Sequence, residues 1–377
     1  MNKKEVKKAP TLRFKGFTND WEQRKLGEIS NIIAGGDKNI NKIKKYGKYP
    51  VIANSINKNG IVGYYDNEYR VKAPAVTVTG RGEIGHAVAR FQNFTPIVRL
   101  LALSSKLDSI FLANSINKIR FFNESTGVPQ LTKPQLSTYS IIIPSVEEQN
   151  NIGKLILLIE KYIHLQQRKL RLLKLLKKAT QQNIFASTEC LPKLKYRNLT
   201  EKWQLYRLKD VAKITMGQSP NSKNYTQNPI DHILVQGNAD IRNGYVFPRI
   251  WTTEITKVAN KGDIILCVRA PAGDVGRTKF NVVIGRGVAA IKGNDFIFQQ
   301  LQFMKSSGYW KKYISGSTFE SINSNDIKNA KIFCPSQLEQ KNISSLLNDI
   351  DTSIQIQQKN ILDFKYIKQF LLQNMFI

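Results

Sequence analysis

The chain is written twice, and the duplication confines it to an architecture of two related halves. Residues 12–29 (LRFKGFTNDWEQRKLGEI) return 182 residues later as residues 194–211 (LKYRNLTEKWQLYRLKDV), with Thr18, Trp21 and Leu26 kept as Thr200, Trp203 and Leu208. A longer echo links residues 144–185 to 335–376 at an offset of 191, with 16 of 42 positions identical. A period this large marks duplicated domains rather than a solenoid of small units. The order is domain, helix, domain, helix: a basic tail over 1–11, domains over 12–144 and 191–335, and helical regions over 145–190 and 336–377.

Both helical regions start alike. Pro144-Ser145 leads into VEEQNNI and Pro335-Ser336 into QLEQKNI. A serine cap followed by Glu in the first turn is a helix-start signal. Apolar residues then recur at alternating spacings of three and four: Ile152, Leu155, Ile159, Tyr162, Leu173 and Leu176 in the first helix, and Ile343, Leu346, Ile350, Phe364, Ile367 and Leu371 in the second. That seam predicts a coiled coil, with helices about 57 Å long at about 1.5 Å per residue. Chain order makes the pairing antiparallel, because the second helix returns after the second domain, and gives a pseudo-twofold molecule within one chain. Gln166 and Gln357 occupy the same heptad slot. They either meet as a buried pair that fixes register or turn to water. Arg168, Lys169, Arg171, Lys174, Lys177 and Lys178 follow one another with no acid between them. They form either a phosphate-binding stretch or a solvated face suited to a helix C-terminus.

The domains read as mixed but strand-rich, an α+β chain overall. Short β-branched runs at 75–79, 139–143, 263–268 and 281–284 are bounded by Gly, Pro or Asn, and 297–314 reads as helical. Residues 54–60 (NSINKNG) match 238–244 (NADIRNG) at an offset of 184, and Asn-Gly after a short apolar run is turn chemistry. The offset has grown to 191 by Ile84-Gly85 and Val275-Gly276, so the insertions fall in loops between matched framework. A shared frame with divergent loops suits two readers of different ligands.

Charge selects the partner. Fifty-seven Lys and Arg face 28 Asp and Glu, a formal net charge of +29, and such a chain self-repels unless it meets a polyanion. Nucleic acid is the expected partner, with an anionic membrane second. The Lys-rich start lacks the apolar core of a signal peptide, and no uncharged apolar run of roughly 18 residues occurs. The expectation is therefore a cytoplasmic chain with no membrane partner. Cys190, Cys267 and Cys334 are far apart and odd in number, so they read as reduced structural thiols rather than a disulfide or zinc set. His86, His164 and His232 are isolated from one another, so no metal site is expected.

One string invites a cofactor reading. Residues 80–85 (GRGEIG) fit G-x-G-x-x-G after a strand-like run, but the continuation HAVARFQNF is too short and polar-broken for a crossover helix. The second copy, residues 270–276 (APAGDVG), keeps only the turn-making glycines. A glycine hairpin that brings a loop close to DNA backbone is the better reading. No Walker A lysine motif or G-x-S-x-G elbow is present. Asn228-Pro-Ile-Asp231 lacks the aromatic with which an adenine methyltransferase loop would stack a flipped base. The chain is not expected to be an enzyme in its own right.

Taken in order, these pieces resemble the specificity subunit of a type I restriction-modification enzyme. The carriers are RFxxFxxxWExxxLGE over 13–28 with its echo WQxxRLKD, the PSVEEQNNI and PSQLEQKNI heads, RAPAGDVG over 269–276 and IGRGVAAI over 284–291. The resemblance spans essentially the whole chain, and the order of the pieces is more diagnostic than any one of them. It implies two target recognition domains, each reading one half of a bipartite asymmetric site in double-stranded DNA. Antiparallel helices would set the spacer. Two modification subunits would bring S-adenosylmethionine and adenine-N6 methyltransferase chemistry, and restriction subunits joined through them would bring ATP, Mg and cleavage. No cofactor is expected in this chain.

Base reading needs Arg, Lys, Asn or Gln at base edges. The candidates are Asn54, Lys58, Asn59, Arg81 and Arg90 in the first domain, and Asn238, Arg242, Asn243, Arg269, Arg277 and Arg286 in the second. Those for the coiled coil and subunit docking are Glu148, Gln149, Ile152, Ile159, Gln166, Leu173, Glu339, Gln340, Ile343, Ile350, Gln357 and Phe364. The alternatives are a self-contained DNA methyltransferase or nuclease, which requires its own cofactor pocket, and a coiled-coil scaffold without base preference.

Overall fold

The computed structural model describes residues 9–37, 39, 41–122, 127–185, 192–194, 202–313 and 321–377, and at Lys58 the backbone alone. Cys190, Thr200 and Ile314, used in the sequence argument, lie outside the described residues. Two compact units divide the chain: residues 1–168 with 358–377, and residues 169–357.

In the first unit an antiparallel sheet runs in the order Ser30–Ala34, Leu100–Ser105, Ala75–Thr79, Ala87–Arg90. All five residues of Ala75–Thr79 are buried, as a central strand covered on both faces requires. A smaller sheet joins Ile61–Tyr65, Tyr49–Ile52 and Thr95–Pro96. The helix Ser109–Ile116 starts where the Asp108 carboxylate accepts from Phe111 N, an ordinary N-cap. Its Leu112, Ala113 and Ile116 lie against Val76, Val78, Leu101 and Leu103. Its Ile110 and Phe111 face the other way, toward Trp21, Ile152 and Phe376.

The second unit has a six-stranded sheet in the order Lys213–Met216, Val288–Lys292, Ile264–Cys267, Val275–Arg277, Tyr245–Val246, Ile241–Arg242. Its five-stranded companion has His232–Val235 beside Val282–Ile284 in parallel. The helix Asp295–Ser306, capped by Asn294, packs Phe296, Ile297 and Leu301 into the core.

The duplicated sequence becomes duplicated packing. In each unit the opening strand pairs antiparallel with the strand that leads into a long helix: Glu22–Lys25 with Ser140–Ile143, and Gln204–Arg207 with Lys331–Cys334. Trp21 meets the Phe111 ring edge-on at 5.7 Å, and Phe111 stacks on Phe376 at 5.4 Å. In the second unit Trp203 meets Phe296 at 5.7 Å and Phe296 meets Phe185 at 5.5 Å. Edge-on and offset pairs at these spacings are favourable aromatic contacts.

The first long helix is Val146–Phe185 and the second is Gln337–Asn374. Within the first unit Glu160 pairs with Lys368 at 2.7 Å, and the Tyr162 ring lies 4.2 Å from that of Phe364. Within the second, Lys177 pairs with Asp351 at 2.7 Å, and Ile184 joins the cluster of Ile343 and Leu347. In both units the two helical segments run in opposite directions.

The buried stripe of the first helix differs from the expected one. It follows Ile152, Ile156, Ile159 and Ile163, with Gln166 and Leu173 half-buried, while Tyr162 and Leu176 are 37% and 52% exposed. On the second helix Ile343, Leu347, Ile350, Gln357 and Ile361 are buried, Phe364 is half-buried and Ile367 is exposed. Apolar residues occupy two adjacent stripes, so spacing alone does not choose between them. The choice is made by packing of Ile152 and Ile156 on Trp21 and Phe111.

Candidate nucleic-acid interface

Each turn candidate has a local cause. Asn59 and Asn243 have φ of 55° and 51°, and Gly60 and Gly244 follow at 75° and 79°. Asn-Gly adopts this left-handed pair at little cost. At 243–244 it joins Ile241–Arg242 to Tyr245–Val246 as a two-residue hairpin. Residues 80–85 form the turn between Ala75–Thr79 and Ala87–Arg90, with Gly82 and Gly85 at positive φ. A strand follows this turn, so no helix N-terminus stands behind it.

Several candidates are occupied by their own domain. The Asn54 side-chain oxygen accepts from Gly80 N at 2.6 Å and Arg81 N at 3.2 Å, and its amide donates to the Arg81 carbonyl at 2.7 Å. Asn238 donates to Asp274 Oδ2 at 3.2 Å, which ties the corresponding two loops of the second unit together. Arg277 pairs with Asp295 at 2.7 Å, donates to the Gly262 carbonyl and stacks on Phe298. Asn54, Asn238 and Arg277 therefore hold loops of their own domain in place, and Asn59 and Asn243 shape the adjoining turns. The side chain of Lys58 lies outside the described residues.

The remaining arginines carry the exposed charge. Arg81, Arg242, Arg269 and Arg286 are exposed, and among the described residues none of them is paired with a carboxylate. The Arg242 guanidinium carbon lies 4.0 Å from the centre of the Phe247 ring, a cation–π contact. Arg90 is half-buried and donates Nε to Thr77 Oγ1 at 2.9 Å. Burial without a carboxylate pushes its pKa down to about 10. It is still charged at neutral pH, so the folded domain bears a desolvated cation that an anion would relieve. The adjoining cavity, lined by Asn59, Thr77, Thr79 and His86, holds about 20 Å³, enough for one water but not for a base.

The second unit has a larger feature. An open groove of about 630 Å³ is lined by Ser219, Asn221, Tyr225, Gln236, Arg269 and Arg286, among others. Gly285 and Gly287 flank Arg286, and a Cβ on Gly287 would run into the Gln236 carbonyl. This is the work of the IGRG string: it presses an arginine turn against the end of His232–Val235. Gln236, Tyr225 and Ser219 were absent from the sequence candidates. The available signal was an amide closing the apolar run HILV, and it is weak.

The helix-head candidates Glu148, Gln149, Glu339 and Gln340 are all buried. Arg13 grips Glu148 through Nε and Nη2 at 2.8 and 2.7 Å, and Trp21 Nε1 donates to it at 3.2 Å. Gln149 and Gln340 each donate back to a proline carbonyl, Pro144 at 2.8 Å and Pro335 at 3.0 Å. The PSxxEQ head is a clamp between domain and helix. In the basic run, Lys177 is held by Asp351 and Gln302, while Arg168, Lys169, Arg171, Lys174 and Lys178 are exposed.

Among the described residues no helix is long and apolar enough to cross a membrane, and no group of three His, Cys, Asp or Glu could hold a metal ion. Cys267 and Cys334 are buried free thiols.

Comparison with known proteins agrees with this arrangement. The family profile for the type I restriction modification DNA specificity domain matches twice, over residues 18–188 and 200–363. A Methanocaldococcus jannaschii protein assigned as the MjaX type I restriction enzyme specificity subunit is 31% identical over 242 residues, covering 61% of this chain and 56% of that protein. The MjaVIII specificity subunit of the same organism is 23% identical, covering 90% and 88%. The crystal structure of a type I restriction-modification S subunit from M. genitalium superposes with a TM-score of 0.70 at 14% identity, over 98% of this chain and 99% of that one. At that identity the likeness concerns the fold alone.

Proposed function

The chain belongs to the type I restriction modification DNA specificity family, and on that premise we propose that it is the DNA sequence-specificity subunit of a type I complex. The domains over 12–144 and 191–335 each read one half of a bipartite, asymmetric target. The helical regions over 145–190 and 336–377 pair as an antiparallel coiled coil that sets the spacer, with Gln166 and Gln357 in its seam, and the repeat gives the molecule pseudo-twofold symmetry. The chain does no catalysis. It works in the cytoplasm, and its two modification subunits supply S-adenosylmethionine chemistry and connect it to restriction subunits that use ATP and Mg.

The observation that carries this reading is the pairing of one frame with two different faces. Each unit repeats the same strand ribbon and aromatic triad. On that frame the first unit presents Arg81 and the pocketed Arg90, while the second presents Arg242, Arg269 and Arg286. Equal frames recruit two copies of one partner, and unequal faces read two different half-sites.

The helices offer a docking surface in place of the buried carboxylates. Each unit by itself leaves apolar helix side chains exposed, Leu158, Tyr162 and Leu165 in the first and Leu172 and Leu176 in the second. Exposed apolar patches of this kind mark interaction faces, and we assign one modification subunit to each.

The test is genome-wide adenine methylation in the source organism with and without this gene. Loss of one split motif on deletion is the expected result. Methylation that is unchanged although the modification subunits are expressed would overturn the assignment. Inserting one heptad beside Gln166 then changes the spacer or abolishes modification, and an unchanged spacer would refute the coiled-coil ruler. Binding of S-adenosylmethionine by the isolated chain would favour the self-contained methyltransferase instead.

A further inference from the structure

The groove of the second unit contains one side chain that is built rather than merely present. Gln236 lines the groove together with Arg269 and Arg286. Its backbone N–H donates to Asp240 Oδ2 at 2.8 Å, and Asp240 is itself buried and held by Arg249 Nε at 3.0 Å. Its side-chain Nε2 donates to Tyr225 OH at 2.7 Å. The Tyr225 backbone sits in the strand paired with Trp251–Thr252. Main chain and amide plane are both fixed, and the residue is half-buried rather than free to sweep through solvent.

A primary amide has two N–H donors and one carbonyl acceptor. With one N–H donated to Tyr225, Gln236 retains a second N–H and its carbonyl for a ligand. An adjacent donor and acceptor match one base edge in the major groove: adenine offers N7 as acceptor beside N6–H as donor. Guanine offers two acceptors there, cytosine a donor, and thymine an acceptor with a methyl group. The neighbours supply the complementary function. Arg269 and Arg286 line the same groove, are exposed, and among the described residues have no carboxylate partner. The Arg286 turn is pinned where its backbone N–H donates to Ser219 Oγ at 3.0 Å. Two unneutralised guanidinium groups beside a fixed amide suit phosphates flanking a base that is read.

We propose that Gln236, held by Tyr225 and Asp240, reads an adenine in the half-site of the second domain, with Arg269 and Arg286 binding the flanking phosphates. This rests on the DNA-specificity reading above and adds to it a named base and a named reader.

The test is selection from a random duplex library by the purified full chain, followed by sequencing of the bound pool. Wild type, Gln236→Ala and the near-isosteric Gln236→Glu are compared, with a thermal unfolding curve for each. In wild type, one position of one half-site is adenine. Gln236→Ala lowers the preference at that position roughly 5- to 150-fold, the span of one good bidentate pair, and leaves the other half-site and the spacer unchanged. Gln236→Glu, which can only accept, moves the preference toward cytosine. Retention of every adenine by folded variants would overturn the assignment while leaving the split motif, and with it the proposed function, intact. A uniform loss of affinity for all sequences would also overturn it, because that is the signature of a phosphate contact. Absence of any sequence preference in wild type would sink the specificity reading itself.

Discussion

Replacing Glu148 with alanine tests the clamp that ties the start of the chain to the first long helix. Glu148 is 1% exposed and accepts three hydrogen bonds, two from Arg13 and one from Trp21. The Arg13 side chain is 13% exposed, and its pKa is raised above the ordinary arginine value chiefly by the hydrogen bonds to Glu148. Without the carboxylate, a largely buried cation and a buried indole N–H lose their partner. Breaking a buried pair in this way costs about 3–5 kcal/mol. Three hydrogen bonds to a charged group, at about 1.5–3 kcal/mol each, would sum to more, but such terms are not additive. Arg13 retains some access to water and recovers part of its hydration, so the lower end, about 3 kcal/mol, is expected. For a unit of this size that is a fall in Tm of about 6–12 °C.

The assay is differential scanning calorimetry of the full chain, with Arg13→Met and the double variant Arg13→Met/Glu148→Leu completing a cycle. The double variant recovers part of the loss, because an apolar pair leaves no charge stranded. Glu148→Ala within about 1 kcal/mol of wild type, or strict additivity in the cycle, would refute the clamp.

Other consequences can be checked separately. Phe376→Ala and Phe185→Ala each remove the closing ring of an aromatic triad. Each should cost about 3–5 kcal/mol by urea unfolding, and a loss below about 1 kcal/mol would show that the ring is not part of its core. Burial pushes the Cys267 thiol up to about 12 and Cys334 up to about 11. At pH 8.5 only about 1 in 3000 and 1 in 300 of these groups is thiolate, so peptide mapping should find both unmodified by iodoacetamide in the native chain; prompt labelling would contradict their packing. DNA affinity should fall linearly on a log–log plot against salt, by orders of magnitude between 50 and 200 mM. A flat response would remove the role assigned to the +29 charge.

What the sequence disclosed and what it withheld divide along a physical line. The duplication was legible because it rests on large, rarely used residues at fixed spacing: Trp21 and Trp203, the two PSxxEQ heads, and the Asn-Gly turns whose positive φ few other residues adopt. Such positions are constrained by local geometry, so a linear string records them. The choice of buried stripe was not legible, because Leu158, Tyr162 and Leu165 satisfy helical periodicity as well as Ile156, Ile159 and Ile163 do. Only contact with Trp21 and Phe111, remote in sequence, decides between them. The interface candidates divide for the same reason. Residue type marked Arg277 and Arg286 equally, yet Arg277 is spent on Asp295 while Arg286 faces an open groove beside Gln236. Whether a cation is neutralised at home is a property of its tertiary neighbours. A polar residue type therefore nominates a contact, and an unfilled set of hydrogen bonds at a fixed position assigns one. By that criterion Gln236, which no motif marks, carries the stronger claim on a base than Asn54, whose oxygen already accepts two backbone N–H groups.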